Sequence, residues 1–309
     1  MESKARSRHL GLDLGASNVK WAVLELAGGE WSTLDRGQFP TSATDGADAV
    51  IERMADAAER ARGDRPDLAS VGVGVPGLFD AAGGVTTFLP NLPPDWERRP
   101  VAGPMRARLG LPVRLINDAR AFGLAELRLG AGRGCDTMVG LALGTGVGGV
   151  VVVGGEVRFG HDGTGGEVGH QTLQPEGPPC TCGNTGCLEA IAKADAVAAA
   201  CGTDSAEEAV VAARRGDERA VAGLAEIGRW LGIGIANLVV VLNPDRVVLG
   251  GGVAGAGELL IDPIRDEVRR RVHVTNLDAV EIVTAELGTW AGAIGAGVHG
   301  AGAPAVVAA

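Results

Sequence analysis

Apolar and polar positions in this chain alternate between two periods. HLGLDL at 9–14 runs through GASN into a second apolar run at Trp21–Leu26 and a third at Ser32–Gln38, which predicts a hairpin extended by a third strand. Residues 46–62 change to a 3.6-residue spacing, predicting a helix with Ala49, Val50, Met54 and Ala57 inward. SVGVGVPG at 70–77 reads as a strand ending in a turn. Residues 80–100 read as loop-rich, with PNLPPDW their most distinctive part, and a helix follows to about Leu109. VRLINDARAFGLAEL at 113–127 predicts a buried strand ending at Asn117 and Asp118, then a helix.

The pattern then starts again. TMVGLALGTGVGGVVVVGGEVR at 137–158 is strand, glycine turn, strand, glycine turn and the start of a third strand, as at residues 9–38. Helical spacing follows over 188–201, 205–215 and 217–242. NPDRVVLGGGVA at 243–254 reads as a turn, a short parallel-type strand and a glycine cluster. A helix over 257–272, a strand near 280–283 and a helix over 290–299 complete the chain. With 309 residues the chain exceeds the usual size of a single core, so two domains are expected.

The 50 glycines show no collagen-like period and cluster beside valine-rich runs, which suggests many tight turns between strands. Two GxGxxG matches occur, at Gly72, Gly74 and Gly77 and at Gly144, Gly146 and Gly149. Neither leads into a helix whose N-terminus would receive a pyrophosphate, so a dinucleotide fingerprint is rejected, and the absence of GxxxxGK[ST] excludes a P-loop. Acidic residues outnumber basic ones, 38 to 28, with no basic cluster after the first few residues, so no nucleic-acid partner is expected. Apolar runs such as LVVVL at 238–242 fall short of the roughly 18 residues that span a bilayer, so no membrane is expected either. Met1 to Arg8 is polar and basic with no apolar segment behind it. Without an export signal, and with three clustered cysteines that cannot all pair, a reducing cytoplasm is the expected location.

GGEVGHQTLQPEGPPCTCGNTGCLE, residues 165–189, carries the densest chemistry. His170, Cys180, Cys182 and Cys187 make a closed tetrahedral set of zinc ligands, the pattern of a structural site, unless the loop is only a group of unliganded thiols. Four protein ligands leave no open metal position and so disfavour a zinc hydrolase. Gly183 and Gly186 suit a loop that must enter left-handed conformations to wrap a metal. Glu167 and Glu189 flank the set. With the second nitrogen of His170 they either face something rich in hydroxyl groups or are solvated loop charges.

Three further places stay open on residue chemistry alone. Asp13 either holds a hydrated magnesium ion beside backbone N–H groups of Gly15, Ala16 and Ser17 that face an anion, or only stabilises its turn. Asp118 lies at the carboxyl end of a strand, where α/β sheets place ligands, or is the N-cap of a helix starting at Ala119. The glycines after Leu249 either let a base or ribose lie against backbone or make a simple tight turn.

Taken in order, GLDLGAS, the strand-end aspartate, GTGVGG, GGEVGH, CTCGNTGCLEA and LGTWAGAIGAG resemble the sugar kinases of the actin, hexokinase and Hsp70 superfamily, and within it the ROK family (repressor, open reading frame, kinase). The resemblance implies an α/β, two-domain actin-like ATPase (ribonuclease H-like) fold with an interdomain cleft. A smaller domain would comprise 1–118 with about 294–309, and a larger one 119–293 with the zinc loop at 165–189. It implies an ATP-dependent kinase for the primary (6-) hydroxyl of glucose or a glucose-like hexose, using Mg2+ and a structural Zn2+, active as a homodimer or homotetramer. Asp118 matches the catalytic base. Gly77, Asn91, Asn117, Glu167, His170 and Glu189 match sugar-binding positions. Asp13, Gly15, Ser17, Asn18, Gly144, Thr145, Gly146, Gly250 and Gly251 match the ATP and magnesium site.

Ser17 stands where threonine is usual, Asn18 where lysine is common, and AIAKADA follows Glu189 in place of the frequent AYASG. These departures put the acceptor in doubt, so an amino sugar such as kanosamine or N-acetylmannosamine, or a cyclitol, is the alternative. The repressors of the same family carry a winged helix ahead of the first hairpin. Here Asp13 arrives almost at once, preceded only by Lys4, Arg6 and Arg8 as basic residues, so a repressor is the remote alternative.

Overall fold

The computed structural model describes residues 6–63, 65–89 and 92–302. In chain order the first part holds β1 (Ser7–Leu14), β2 (Asn18–Ala27), β3 (Glu30–Pro40), α1 (Ala47–Gly63), β4 (Leu68–Val75), β5 (Leu78–Asp80), β6 (Val85–Phe88), α2 (Ala102–Leu109), β7 (Val113–Asn117) and α3 (Asp118–Leu129). The second holds β8 (Met138–Leu143), β9 (Val147–Val153), β10 (Glu156–Val157), α4 (Leu188–Ala192), α5 (Ala194–Cys201), α6 (Ala206–Arg214), α7 (Glu218–Leu242), β11 (Arg246–Gly250), α8 (Glu258–Arg271) and β12 (Glu281–Thr284). Helix α9 (Ala291–Ala301) closes the chain.

The repeat seen in the sequence extends to whole sheets. The first sheet has the order β3-β2-β1-β4-β7 and the second β10-β9-β8-β11-β12, each with an antiparallel meander followed by two parallel strands. Parallel neighbours need crossovers, which α1 and α2 supply in the first sheet and the helical run α4–α7 and α8 in the second. Packing divides the chain into two compact units. One runs to Leu129 and includes His161–Thr164 and the chain from Thr289; the other is Gly130–Gly160 with Gly165–Gly288. The expected boundary at residue 118 is therefore displaced, because α3 packs on α9 and stays with the first unit.

Strand period explains the first unit. Leu10, Leu12 and Leu14 on β1 and Val71, Val73 and Val75 on β4 point to one face and bury against Val50, Ile51, Met54 and Ala58 of α1 and Met105 of α2. The buried stripe of α1 is thus centred on Val50, Ile51, Met54, Ala55 and Ala58, whereas Ala49 and Ala57, expected inward, are half-buried. The opposite face of β1 and β4 carries Gly11 and Gly72. A Cβ at Gly11 would overlap the carbonyl oxygen of Ala293, and one at Gly72 that of Ala296, so α9 lies with its backbone against the sheet. Several glycines therefore serve helix packing, in α9 at Gly292, Gly295, Gly297 and Gly300, and not only the turns expected of them. The stretch 80–100 is less irregular than expected, since β5 and β6 pair as a small hairpin.

In the second unit Val139, Leu141 and Leu143 of β8 and Val247 and Leu249 of β11 bury against Leu224, Ile227, Leu231, Ile235 and Val239 of α7. Asp217 caps α7 by accepting the N–H of Ala220 (2.9 Å), and Asn243 ends it in a left-handed conformation. At 25 residues α7 is long and apolar enough, by length and composition, to cross a membrane, a feature missed when only uninterrupted apolar runs are read. Half of that apolar window is buried in the unit's own core. The helix expected over 188–201 is broken at Lys193, which is extended and separates α4 from α5.

Candidate active site

In the first unit the site residues gather at the carboxyl ends of β1, β4 and β7. Asn117, the last residue of β7, caps α3. Its Oδ1 accepts the N–H groups of Ala119 (3.0 Å) and Arg120 (3.3 Å) and a guanidinium hydrogen of Arg120 (3.1 Å), while its Nδ2 donates to the Gly77 carbonyl (3.2 Å). The oxygen is saturated, so what Asn117 can offer a ligand is the second hydrogen of Nδ2. Asp118 is the first residue of α3, not its N-cap, and its carboxylate accepts the N–H of Ala119 (2.8 Å). Helix capping thus does not account for Asp118. Asn91 lies outside the described residues.

Asp13, at the end of β1, has a carboxyl pushed up to about 6. Burial is the main cause, the neighbouring Asp118 charge adds to it, and Lys20, its partner across β2, opposes it. Two carboxylates held within each other's field are a place where a hydrated cation is stabilising. In the absence of a cation the pair costs stability. Asp13→Asn is therefore expected to stabilise the ligand-free protein at pH 7.5 by about 1–3 kcal/mol, one pKa unit being worth about 1.4 kcal/mol. The sign follows from a folded pKa above the ordinary 3.8. The wild type is penalised while ionised, and the penalty disappears as pH falls from about 6 towards 4, because the folded form takes up the proton first. Thermal unfolding of both proteins across that range checks it; a gain that persists unchanged at pH 4 would rule the explanation out.

The turn from β1 to β2 is closed from within. Gly15 donates its N–H to the Asn18 carbonyl (3.1 Å), so that group is not among the donors open to an anion, contrary to expectation, and Ala16 and Ser17 remain. Thr41 fixes the turn from outside: its hydroxyl donates to the Gly15 carbonyl (2.6 Å) and its N–H to the Ser17 carbonyl (2.9 Å). Thr41 is completely buried, and nothing in the sequence marked it. Arg120 was also missed, although an arginine inside the apolar run INDARAFGL was a readable signal. It is only 2% exposed, and a charge so buried needs partners. It has them in Asn117 Oδ1 and the Thr164 carbonyl (3.0 Å), which tie residues 161–164 to the start of α3.

In the second unit the β8–β9 turn parallels the first. Gly144 donates its N–H to the Gly146 carbonyl (2.9 Å), which again removes one expected donor and leaves Thr145 and Gly146. Gly251 lies against the end of β8, where a Cβ would overlap the Leu143 carbonyl, so chain packing alone already requires glycine there. Gly250 and Gly251 are thereby brought beside this turn. Gly169 lies equally close to the Val147 carbonyl, which places the GEVGH segment along β9.

The ligand atoms of His170, Cys180, Cys182 and Cys187 all lie within 4.8 Å of one another. Cys182 Sγ and Cys187 Sγ are 3.8 Å apart, and Cys180 Sγ is 3.6 Å from His170 Nδ1. A tetrahedral zinc with bonds of about 2.3 Å to sulfur and about 2.0 Å to nitrogen sets such pairs about 3.8 and 3.5 Å apart, so the residues fit the ion. Left-handed backbone at Gly183 (φ 92°) and Gly186 (φ 70°) makes the wrap possible. Burial pushes the thiols of Cys180 and Cys187 up, that of Cys187 to about 12, while the N–H of Asn184 and then Cys180 lower exposed Cys182. Three thiols in this state give up their protons to a dication, so metal affinity rises with pH.

Nδ1 of His170 faces the thiols, which turns Nε2 towards Glu167 Oε2 at 3.8 Å. On the other side Glu189 accepts the Val147 N–H at Oε2 (3.0 Å), with Oε1 3.8 Å from Cys180 Sγ. Glu167, His170 and Glu189 thus surround one end of the cysteine cluster, and neither carboxylate is needed to complete a ligand set of four.

The sequence profile of the ROK family matches residues 9–299. The glucokinase of Thermotoga maritima is 35% identical over 306 residues, covering 93% of this chain and 95% of its own. Among solved structures, the ROK hexokinase from Thermus thermophilus superposes with a TM-score of 0.81 at 36% identity, covering 95% of this chain and 97% of that one. The ROK family glucokinase from Streptomyces griseus, in complex with glucose and AMPPNP, gives a TM-score of 0.78 at 31% identity, with 95% and 99% covered. The match spans both compact units from residue 9 to residue 299, and the chain belongs to the ROK family.

Proposed function

We propose that this ATP-dependent sugar kinase transfers a phosphoryl group to the primary hydroxyl of glucose or a glucose-like hexose, with Asp118 as the general base. The observation that carries the reading is the placement of Asp118: it stands at the carboxyl end of β7 beside Asp13, and Asn117 has taken over the capping of α3. A carboxylate in that position can accept the hydroxyl proton as the oxygen attacks phosphorus. Thr145 and Gly146, with Ala16 and Ser17, offer backbone N–H groups to phosphate oxygens. Magnesium, when bound, would neutralise charge on the phosphates, with Asp13 the residue to hold its water shell.

Groups suited to the acceptor's other hydroxyls are Asn117 Nδ2 in the first unit and Glu167, His170 Nε2 and Glu189 in the second, two of them carboxylates that hydrogen-bond strongly to hydroxyl donors. His170, Cys180, Cys182 and Cys187 would hold a zinc ion, which when bound would fix His170, and with it Glu167, rigidly. It is closed to substrate and takes no part in the transfer. Assembly as a homodimer accords with base rates for closed symmetry.

A coupled assay of ATP consumption across glucose, mannose, N-acetylmannosamine, kanosamine and cyclitols tests the reading, with glucose expected to give the highest kcat/KM. Faster turnover of an amino sugar or cyclitol would reassign the acceptor, and no turnover with any of them would end the proposal. The metal has its own check. Free zinc a thousandfold above its Kd stabilises a folded protein by about 4 kcal/mol. Cys182→Ser is expected to lose bound zinc and that increment, and to become insensitive to chelators in thermal unfolding; a variant that retains one zinc per chain would remove Cys182 from the ligand set.

A further inference from the structure

The residues just after the last cysteine hold the β8–β9 turn at both ends. Val147 donates its N–H to Oε2 of Glu189 (3.0 Å), and Ala194, at the start of α5, donates its N–H to the Gly144 carbonyl (2.8 Å). Between these anchors Gly146 packs directly on the carboxylate, since a Cβ there would overlap Glu189 Oε2. The break between α4 and α5 at Lys193 lets one short segment reach both ends of the turn. Cys187 begins α4 as its N-cap, so the same few residues join the cysteine cluster to the turn. The corresponding turn of the first unit is held differently, by Thr41.

We infer that Glu189 is a positioning residue for the phosphoryl donor: it holds the Gly144–Val147 turn in the shape that presents the Thr145 and Gly146 N–H groups to phosphate. This rests on the reading above, in which that turn receives the donor's phosphates and Glu189 is assigned to the sugar alone. The carboxylate acts through its bond to Val147 and does not touch phosphate, whose charge it would repel.

A neutral acceptor would serve the turn equally well, and that separates the two roles. Binding of Mg2+ and AMPPNP is measured by calorimetry without sugar, with zinc content determined on the same samples. Glu189→Ala is expected to weaken AMPPNP binding about tenfold or more, the usual loss when a hydrogen bond to a charged group is removed. Glu189→Gln keeps an acceptor oxygen for Val147 and should bind AMPPNP within about threefold of wild type, while both variants bind glucose more weakly. Wild-type AMPPNP affinity in Glu189→Ala overturns the inference. Should that variant shed its zinc, Glu189→Asp decides, because it keeps the charge and leaves the turn and the four metal ligands unaltered but draws the carboxylate back from Val147. Weakened AMPPNP binding with zinc retained then supports the inference, and unchanged binding overturns it. If wild type itself binds no AMPPNP, the donor assignment of the turn is what fails, and the inference falls with it.

Discussion

Asp118→Asn is expected to lower turnover by about two to four orders of magnitude, the usual worth of a general base, with glucose and nucleotide affinities changed by no more than about threefold. The substitution is conservative for structure. An asparagine oxygen can still accept the Ala119 N–H, and the cap of α3 rests on Asn117, which keeps its bonds to Ala119, Arg120 and Gly77. What disappears is a proton acceptor and one negative charge. Loss of the charge also relieves Asp13, whose carboxyl is held up partly by Asp118, so the variant should unfold at the same temperature as wild type or slightly higher. Steady-state kinetics with separate KM values for sugar and ATP, alongside a melting curve, decide the matter. A kcat within tenfold of wild type would take Asp118 out of the chemistry, whereas a large rise in KM at unchanged kcat would make it a binding residue.

The second large effect is on stability. Gly72→Ala is expected to cost about 3 kcal/mol or more, although it adds a single methyl group. That methyl would overlap the carbonyl oxygen of Ala296 and crowd the Gly300 N–H, and both are backbone atoms of α9 with no rotamer to change. The helix cannot retreat either, because on its other side a Cβ at Gly295 would already overlap the Ala121 carbonyl of α3. Any shift of α9 also moves Gly292, which packs against the Asp13 carboxylate, so activity should fall together with stability. Gly103→Ala is the control: it lies within α2 with nothing among the described residues within 4 Å of the added carbon, and it should stabilise by about 0.4–1 kcal/mol. Urea unfolding of the three proteins measures both. Equal stability of the two variants would show that α9 is not backbone-packed on the sheet.

The readable and unreadable parts of this molecule divide by the range of the interactions involved. Element type was legible because it depends on periodicity within a few residues: β1 to β3, β8, β9 and β11 are where alternating or continuous apolar runs predict strands. The cysteine loop was legible for a similar reason. Its four donors are chemically distinctive, lie within eighteen residues of sequence and bring the glycines that their wrap requires. Asn117 and Asp118 could be placed at a strand end, yet the sequence left open which of them capped α3, since both side chains can do it. Tertiary contacts with Gly77 and Arg120 chose Asn117.

What only the folded chain decided is which groups are already in use. Gly15 reads as an anion donor, and Gly144 as part of the nucleotide site, until the turns close and their N–H groups find Asn18 and Gly146. Thr41 is an ordinary threonine until β3 ends beside the first turn, and Arg120 an ordinary helix residue until burial makes it hold residues 161–164. Glu189 reads as a flanking carboxylate, but in the folded chain it accepts the N–H of Val147. Pattern and residue chemistry therefore gave most of the elements and a candidate set of metal ligands, and the resemblance of the ordered motifs gave the family. The allocation of hydrogen bonds and the close approach of α9 required the tertiary structure, because each depends on partners that are distant in sequence and compete for the same polar groups or the same space.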